Sequence, residues 1–288
     1  MATTQSLEMG MKSKKRMAGF FLYGIVILLA LLTVMPVLFL LINSFKSQSE
    51  IIRNPLALPT AFTMDYLVNA FHKIDYLRAL WNTTVVTVIS LFLIIACAAP
   101  AGWMLSRYQG KLSKIIYLVF ASAILIPFQA LMYPLLTMMD NLNLKNSFGL
   151  ALMYGGFGLA MSIFLYTGFF KSIPMSIEES AVVDGANIVQ LFTHIVFPLV
   201  KPTTITVLIM NGIWIWNDYL LPFLTLGTSK EKTLVLELYY ARMLAGQFGN
   251  PWELIFPAVL ITVLPMVIVF LVLQKYFVAG VASGAVKG

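Results

Sequence analysis

Residues 174–202 read PMSIEESAVVDGANIVQLFTHIVFPLVKP, and this segment decides how the chain is organised. Glu178 and Glu179 fall in the first turn of a helix expected over about 177–183, where the helix dipole favours anions. Ser176 followed by Glu179 has the spacing of a capping box. Asp184-Gly185 then punctuates the helix, because glycine readily takes the left-handed conformation of a C-terminal cap. A second helix is expected from about 187, with Ile188, Leu191, Phe192 and Ile195 at i, i+3, i+4 and i+7 on one face. Asn187, Gln190, Thr193 and His194 face elsewhere, and Pro198 and Pro202 lead out of the segment. Two readings fit this pattern. Either the apolar stripe lies on a bilayer or under its own bundle, or it docks a cytoplasmic partner.

Outward from this patterned island the chain is strongly apolar. Of 288 residues, 60% are hydrophobic and 11% charged, with a mean hydropathy of +0.88. A soluble domain has about 45–50% apolar and about 25% charged residues. The composition therefore excludes a soluble globular domain, and it excludes disorder, which requires low hydrophobicity and high charge. The single cysteine, Cys97, excludes an internal disulfide or a thiolate metal cluster and is expected to pack as an apolar residue. Only two histidines occur, His72 and His194, so a histidine-rich metal site has no basis, and His194 is expected on a solvated face.

A helix crosses the hydrocarbon layer in about 20 apolar residues. Six stretches qualify, at roughly 20–42, 82–105, 115–136, 147–170, 203–226 and 254–273, which predicts an all-α membrane protein with six transmembrane helices. The first is too long for the h-region of a signal peptide and is read as a retained helix. Lys12, Lys14, Lys15 and Arg16 before it, and Arg107, Lys111 and Lys114 in the short 106–114 loop, place both termini in the cytoplasm by the positive-inside rule. The net charge of +7 thus belongs to membrane flanks and not to nucleic acid. The chain divides into 1–79 (tail, first helix and external loop, with Pro55 and Pro59 interrupting helix), a five-helix core at 80–275 and a cytoplasmic tail at 276–288. Prolines in five spans, and Gly155, Gly156 and Gly158 in the other, fit either packing irregularity or a bundle built to bend. Ala96, Ala98, Ala99, Ala101 and Gly102 allow the second helix to approach a neighbour closely.

Polar groups inside spans are costly and mark candidate pathway positions. Asp218 is the only charged residue in the six spans, with Asn217 beside it, Asn211 earlier in the same span and Gln129 in the third. Trp214, Trp216 and Tyr219 can stack on the apolar face of a solute ring or sit as interfacial aromatics. Asp218 itself fits a pathway, a subunit interface or the support of a kinked backbone.

The 174–202 segment resembles the EAA coupling loop of bacterial ABC-importer permeases, whose pattern is E-A-A-x-x-x-G, a nine-residue gap and I-x-L-P. Here Glu179-Ser180-Ala181, Gly185 and Ile195-Val196-Phe197-Pro198 supply it, with Ser180 in place of an alanine and Phe197 in place of the leucine. Asp184-Gly185-Ala186, the stretch Trp216-Asn217-Asp218-Tyr219 with Pro222, and the ending Gly284–Gly288 are similar to the second membrane subunit of maltose-type carbohydrate-uptake systems. The resemblance implies that Glu178, Glu179, Ala181, Asp184, Gly185, Ile188, Leu191, Phe192, Ile195 and Pro198 couple the chain to an ATPase. It also implies a homologous second permease subunit, cytoplasmic ATP-binding subunits that hold ATP and Mg, an extracytoplasmic solute-binding protein and a sugar substrate. This chain has no G-x-x-x-x-G-K-[ST] phosphate loop, so it is expected to carry no cofactor and no catalytic residue. A permease for another polar solute, such as a glycerol phosphoester, and a stand-alone secondary transporter are the alternatives. The absence of Arg and Lys from the spans disfavours a phosphorylated solute, and the absence of internal repeats disfavours the secondary transporter.

Overall fold

The computed structural model describes residues 2–245 and 249–285, with side chains over 19, 21–243 and 249–274. The described residues are helical throughout their regular structure. The chain divides into two compact units, Met1–Phe71 with Phe248–Ile261, and His72–Gln247 with Thr262–Gly288.

The first unit is built on α1 (Ala2–Asn43), whose side chains from Phe21 to Leu38 are all exposed. An apolar rod with no protein cover needs lipid or another chain around it. Its end is tied down by polar contacts. Lys46 is fully buried, and its ammonium donates to the carbonyls of Asn54 (3.0 Å) and Pro55 (3.2 Å) and to Asn43 Oδ1 (3.4 Å). Three acceptors match the three donors of an ammonium group. Next come α2 (Gln48–Arg53), capped by Ser47 and ending before Pro55, and α3 (Asp65–Lys73), which begins in this unit. Glu253, in the first turn of the final helix, accepts the Gln48 backbone N–H at 3.0 Å.

The second unit is organised around α4 (Tyr76–Arg107) and α7 (Ser147–Phe170). The buried face of α4 carries Ala79, Ser90, Ala98, Ala99, Gly102 and Ser106, and α7 fills the resulting groove with Tyr154, Ile163, Tyr166 and Phe170. Close approach is what small residues permit when helices must attract each other without a hydrophobic difference from lipid. A Cβ at Gly102 would stand 2.6 Å from the Tyr166 Cβ. Ala98, Ala99 and Gly102 thus act as expected, but Ala96 and Cys97 are exposed on the opposite face. The expectation of a packed Cys97 is therefore corrected: the helix turns this small apolar side chain away from the protein.

Two of the six expected spans are not straight helices. The 115–136 stretch divides into α5 (Lys111–Ala123) and α6 (Phe128–Asn141), bent by 100°. Pro127 caps α6, lacks an N–H and disfavours helical backbone at Ile126, which ends α5 early. The 203–226 stretch divides into α10 (Lys201–Asn217) and α11 (Leu220–Leu226), separated at Asp218-Tyr219. Between α7 and α10 lie α8 (Ser176–Val183) and α9 (Ile188–Leu199), and α9 meets α10 at 73°. The stretch between the fifth and sixth expected spans contains α12 (Leu234–Ala245), and α13 (Trp252–Ala285) completes the described residues. By length and composition, four helices among the described residues can cross a membrane, or six if each bent pair counts as one span. Residues 286–288 of the tail lie outside the described residues, as do the side chains of Lys12, Lys14, Lys15, Arg16 and the whole 276–288 tail.

Candidate functional site

The 174–202 segment begins where α7 ends. Helix α8 starts at Ser176, not after it, and its N-cap position is Met175, with no side-chain cap. The expected Ser176–Glu179 capping box is therefore not formed, and the Ser180 hydroxyl donates to the Ser176 carbonyl instead. The box in this segment joins Asn187 and Gln190. The Gln190 N–H donates to Asn187 Oδ1 at 2.9 Å, and the Asn187 N–H donates to Gln190 Oε1 at 3.0 Å.

Gly185 is the bend. Its φ is +87°, a conformation that costs an L-residue about 1–2 kcal/mol. The Ala186 N–H donates to the Ala181 carbonyl and the Gly185 N–H to the Val182 carbonyl, both at 3.0 Å. That pair of bonds is a Schellman motif, closing the end of α8 and turning the chain. Ala181 is buried under the turn, while Glu179 and Asp184 are exposed.

Helix α9 departs from the expected apolar stripe. Leu191–Val196 form a π-helical turn, with the Phe197 N–H bonded to the Phe192 carbonyl. Pro198 cannot donate into the ladder, and the wider turn rotates its side chains away from a regular α-helical face. The stripe Ile188, Leu191, Phe192, Ile195 therefore splits. Leu191 is buried in the core, Phe192 packs between Trp103 (5.4 Å) and Phe197 (5.8 Å), and Ile195 is half-buried. Ile188 remains exposed, beside exposed Val189, and across the bend Val182 and Val183 are exposed too. The outward knob consists of Val182, Val183, Ile188 and Val189. His194 is exposed as expected, sharing a hydrogen bond with the Thr193 hydroxyl, and Pro198 is exposed.

Glu178 is not on that outward face. It is buried, and Arg107 donates to its Oε1 from Nε (2.8 Å) and Nη2 (2.7 Å) while Trp103 Nε1 donates to Oε2 (3.1 Å). The same guanidinium donates to the Phe170 carbonyl (3.0 Å) and the Ile173 carbonyl (3.2 Å). One planar fork thus ties the end of α4, the end of α7 and the first turn of α8. In the sequence Arg107 reads only as a flanking cation, and no local pattern singles out Trp103. Seventy-one residues separate the ion-pair partners, and no local spacing signals such a pair.

A second polar cluster surrounds the break after α10. Asp218 accepts the Leu220 N–H at 3.0 Å and the Leu221 N–H at 3.4 Å, so it caps α11. Its Oδ2 also accepts the hydroxyl of buried Tyr154 on α7 at 2.9 Å. Tyr154 meets the Trp214 ring edge-on at 5.3 Å. Trp214 and Asn217 lie with Met210 and Ile213 along one exposed stripe of α10, and Tyr219 is exposed beyond them. Asn211 faces the other way, buried and donating to the Ser162 hydroxyl (3.2 Å) and the Val207 carbonyl (2.9 Å). Trp216 is buried, its indole N–H bonded to the Thr262 carbonyl. Gln129 is exposed on α6, a separate element. Of the sequence-derived candidates, Trp214, Asn217, Asp218 and Tyr219 are brought together, and Asn211 supports the same helix from behind.

Among known proteins, the chain is 37% identical over 261 residues to the probable starch degradation products transport system permease protein AmyC of Thermoanaerobacterium thermosulfurigenes, covering 91% of this chain and 94% of that one. It is 31% identical to the multiple sugar-binding transport system permease protein MsmG of Streptococcus mutans, covering 96% and 100%. It is 34% identical to the melibiose/raffinose/stachyose import permease protein MelC of Bacillus subtilis, covering 88% and 91%. In fold it is similar to a chain in the crystal structure of a bacterial ABC transporter involved in the import of the acidic polysaccharide alginate, with a TM-score of 0.79, 24% identity and coverage of 91% and 97%. Residues 93–283 match the model of a transport family and include α7, the Gly185 bend and the Asp218 break. The chain belongs to the family of binding-protein-dependent transport system inner membrane components.

Proposed function

We propose that this chain is one of two homologous permease subunits of an ATP-driven sugar importer, and that it docks a separate ATPase through the knob around Gly185. The observation that carries this reading is the pairing of an exposed apolar knob with a buried, charge-locked base. Val182, Val183, Ile188 and Val189 offer a partner groove about 1.5–3 kcal/mol for each large side chain buried. Arg107–Glu178 joins that knob to α4 and α7, so a push on α8 is delivered to two spans. Glu179 and Asp184, exposed beside the knob, can meet cations of the ATPase. Both termini are cytoplasmic in this reading, and an extracytoplasmic binding protein delivers the solute on the opposite side.

Sugar as the solute class is supported by the relatives AmyC, MsmG and MelC, whose names specify starch degradation products, multiple sugars, and melibiose, raffinose and stachyose. The exposed stripe of α10 supplies what a sugar needs: an indole face at Trp214, an amide at Asn217 and a phenol at Tyr219. Asp218 holds this stripe's end in place by capping α11. Gln129 on α6 is a further candidate wall of the path. ATP and Mg belong to the partner subunit.

The test is purification from native membranes with identification of the accompanying chains, followed by ATPase and uptake assays in proteoliposomes. A panel of malto-oligosaccharides, α-galactosides and glycerol 3-phosphate is offered with the binding protein present. Sugar-stimulated hydrolysis is expected. Purification without an ATPase, or stimulation by glycerol 3-phosphate alone, overturns the respective part of the proposal.

A further inference from the structure

Beside the Arg107 junction, a cavity of about 620 Å³ opens between the start of α5 and the end of α7. Lys114 and Tyr117 line it from α5, Lys171 from the end of α7, and Arg107, Tyr108 and Gln109 from the end of α4 and the turn that follows. Among the described residues, no carboxylate lines it. Arg107 is already neutralised by Glu178, so the uncompensated charge comes from the two lysines, and neither forms a salt bridge among the described residues.

Lys171 Nζ stands 5.1 Å from the centroid of the Tyr117 ring, and Tyr117 stacks on Phe164 at 6.1 Å. Phe164 lies two helical turns before Lys171 on α7 and is exposed. Leu118, next to Tyr117 on α5, is exposed. The two ammonium groups thus have an aromatic ring and exposed apolar side chains close beside them. A phospholipid needs the same neighbours: a cation for its phosphodiester and apolar surface for its acyl chain. Lysine is a point-charge partner for phosphate, and tyrosine favours the headgroup level of a bilayer. Basic pockets between membrane helices are suited to anionic headgroups for these reasons.

We propose that the groove between α5 and α7 is a binding site for an anionic phospholipid. Its phosphodiester is held by Lys114 and Lys171, and an acyl chain lies along Tyr117, Phe164 and Leu118. A lipid there braces α5 against α7 next to the Arg107 junction. The site requires only that the chain lie in a bilayer, so it stands or falls apart from the sugar and the ATPase.

The test uses the full chain with its accompanying subunits, exchanged into phosphatidylcholine nanodiscs containing a minor fraction of phosphatidylglycerol. Native mass spectrometry then counts the phosphatidylglycerol retained after extraction into detergent. Lys171→Gln is expected to lower retention about fivefold, and Lys114→Gln with Lys171→Gln to lower it further, while Lys171→Arg retains it. Millimolar inorganic phosphate is expected to leave retention unchanged. Equal retention by wild type and the double variant overturns the proposal. Displacement by inorganic phosphate assigns the site to free phosphate and also overturns it, as does a cross-link from Lys171 to a second permease subunit. Should the double variant fail to assemble, the comparison of Lys171→Gln with Lys171→Arg decides.

Discussion

Arg107 and Glu178 form a 2.7 Å ion pair with only 15% and 7% of their side chains exposed, joining the last turn of α4 to the first turn of α8. Removing one member of a buried pair strands the other charge, at a cost of about 3–5 kcal/mol. Arg107→Ala also releases the Phe170 and Ile173 carbonyls. Thermal unfolding in detergent is expected to show both Arg107→Ala and Glu178→Ala strongly destabilised, and the Arg107→Leu/Glu178→Leu double variant only partly recovered, because the Phe170 and Ile173 carbonyls and the Trp103 indole N–H still lose their partners. A melting point for Arg107→Ala equal to wild type removes the structural role.

The bend at Gly185 separates conformation from sterics. A Cβ there meets nothing within 4 Å, yet φ is +87°. Gly185→Ala is expected to cost about 1–2 kcal/mol through the backbone alone, leaving the chain inserted and assembled. Gly185→Asp adds a charge at the proposed docking surface, and ATP hydrolysis is expected to proceed without sugar uptake. Intact, coupled uptake by Gly185→Asp would remove the coupling role of this turn.

Val183 is 86% exposed and touches no core, so Val183→Glu is expected to leave folding of this chain within about 0.5 kcal/mol. Its effect is expected at the ATPase. Burying a charge in an apolar groove is expected to weaken association at least about tenfold, measured by co-purification at increasing dilution. Undiminished association argues that the knob faces lipid or water.

Asp218 has two possible uses, and two substitutions separate them. Asparagine caps a helix as well as aspartate does, whereas alanine loses about 1 kcal/mol and leaves the buried Tyr154 hydroxyl unpaired, at about 1–3 kcal/mol more. If capping is the role, uptake by Asp218→Asn stays close to wild type, while Asp218→Ala and Tyr154→Phe lower the amount of folded protein. Abolished uptake in well-folded Asp218→Asn shows instead that the charge acts on the solute.

Close packing of α4 on α7 gives a further check. Gly102→Val places side-chain atoms where Tyr166 already stands, and overpacking of this kind costs about 1–3 kcal/mol. Gly156→Ala, with nothing within 4 Å of its Cβ, is expected to be neutral by the same thermal measurement.

Much of the architecture is legible from local pattern. Apolar runs fall on Ser147–Phe170 at the residues expected, and on Trp252–Gln274 within two. The Asp184-Gly185 stop is read from sequence because glycine at φ +87° is a local requirement. Errors arise where a local rule has several outcomes. Pro127 predicts irregularity, but not that α5 and α6 diverge by 100°. Heptad-like spacing predicts one apolar face over 188–195, but Pro198 and the π turn divide it between core and surface. A capping box satisfies its spacing at both Ser176–Glu179 and Asn187–Gln190, but α8 already includes Ser176 and has helical backbone at Met175, so only the second forms.

By itself the sequence determined that this chain lives in a membrane, where its long straight spans lie, and that a Gly bend interrupts the segment between two of them. Hydrophobic length, charge scarcity and glycine's backbone freedom act over a few residues, so they can be read in order along the chain. Only the tertiary structure decided which polar groups meet: Arg107 with Glu178, Tyr154 with Asp218, Asn211 with Ser162. Those partners stand on different helices, 71, 64 and 49 residues apart. Their pairing depends on helix rotation and close packing at Gly102 and Gly158, which no spacing along the chain encodes.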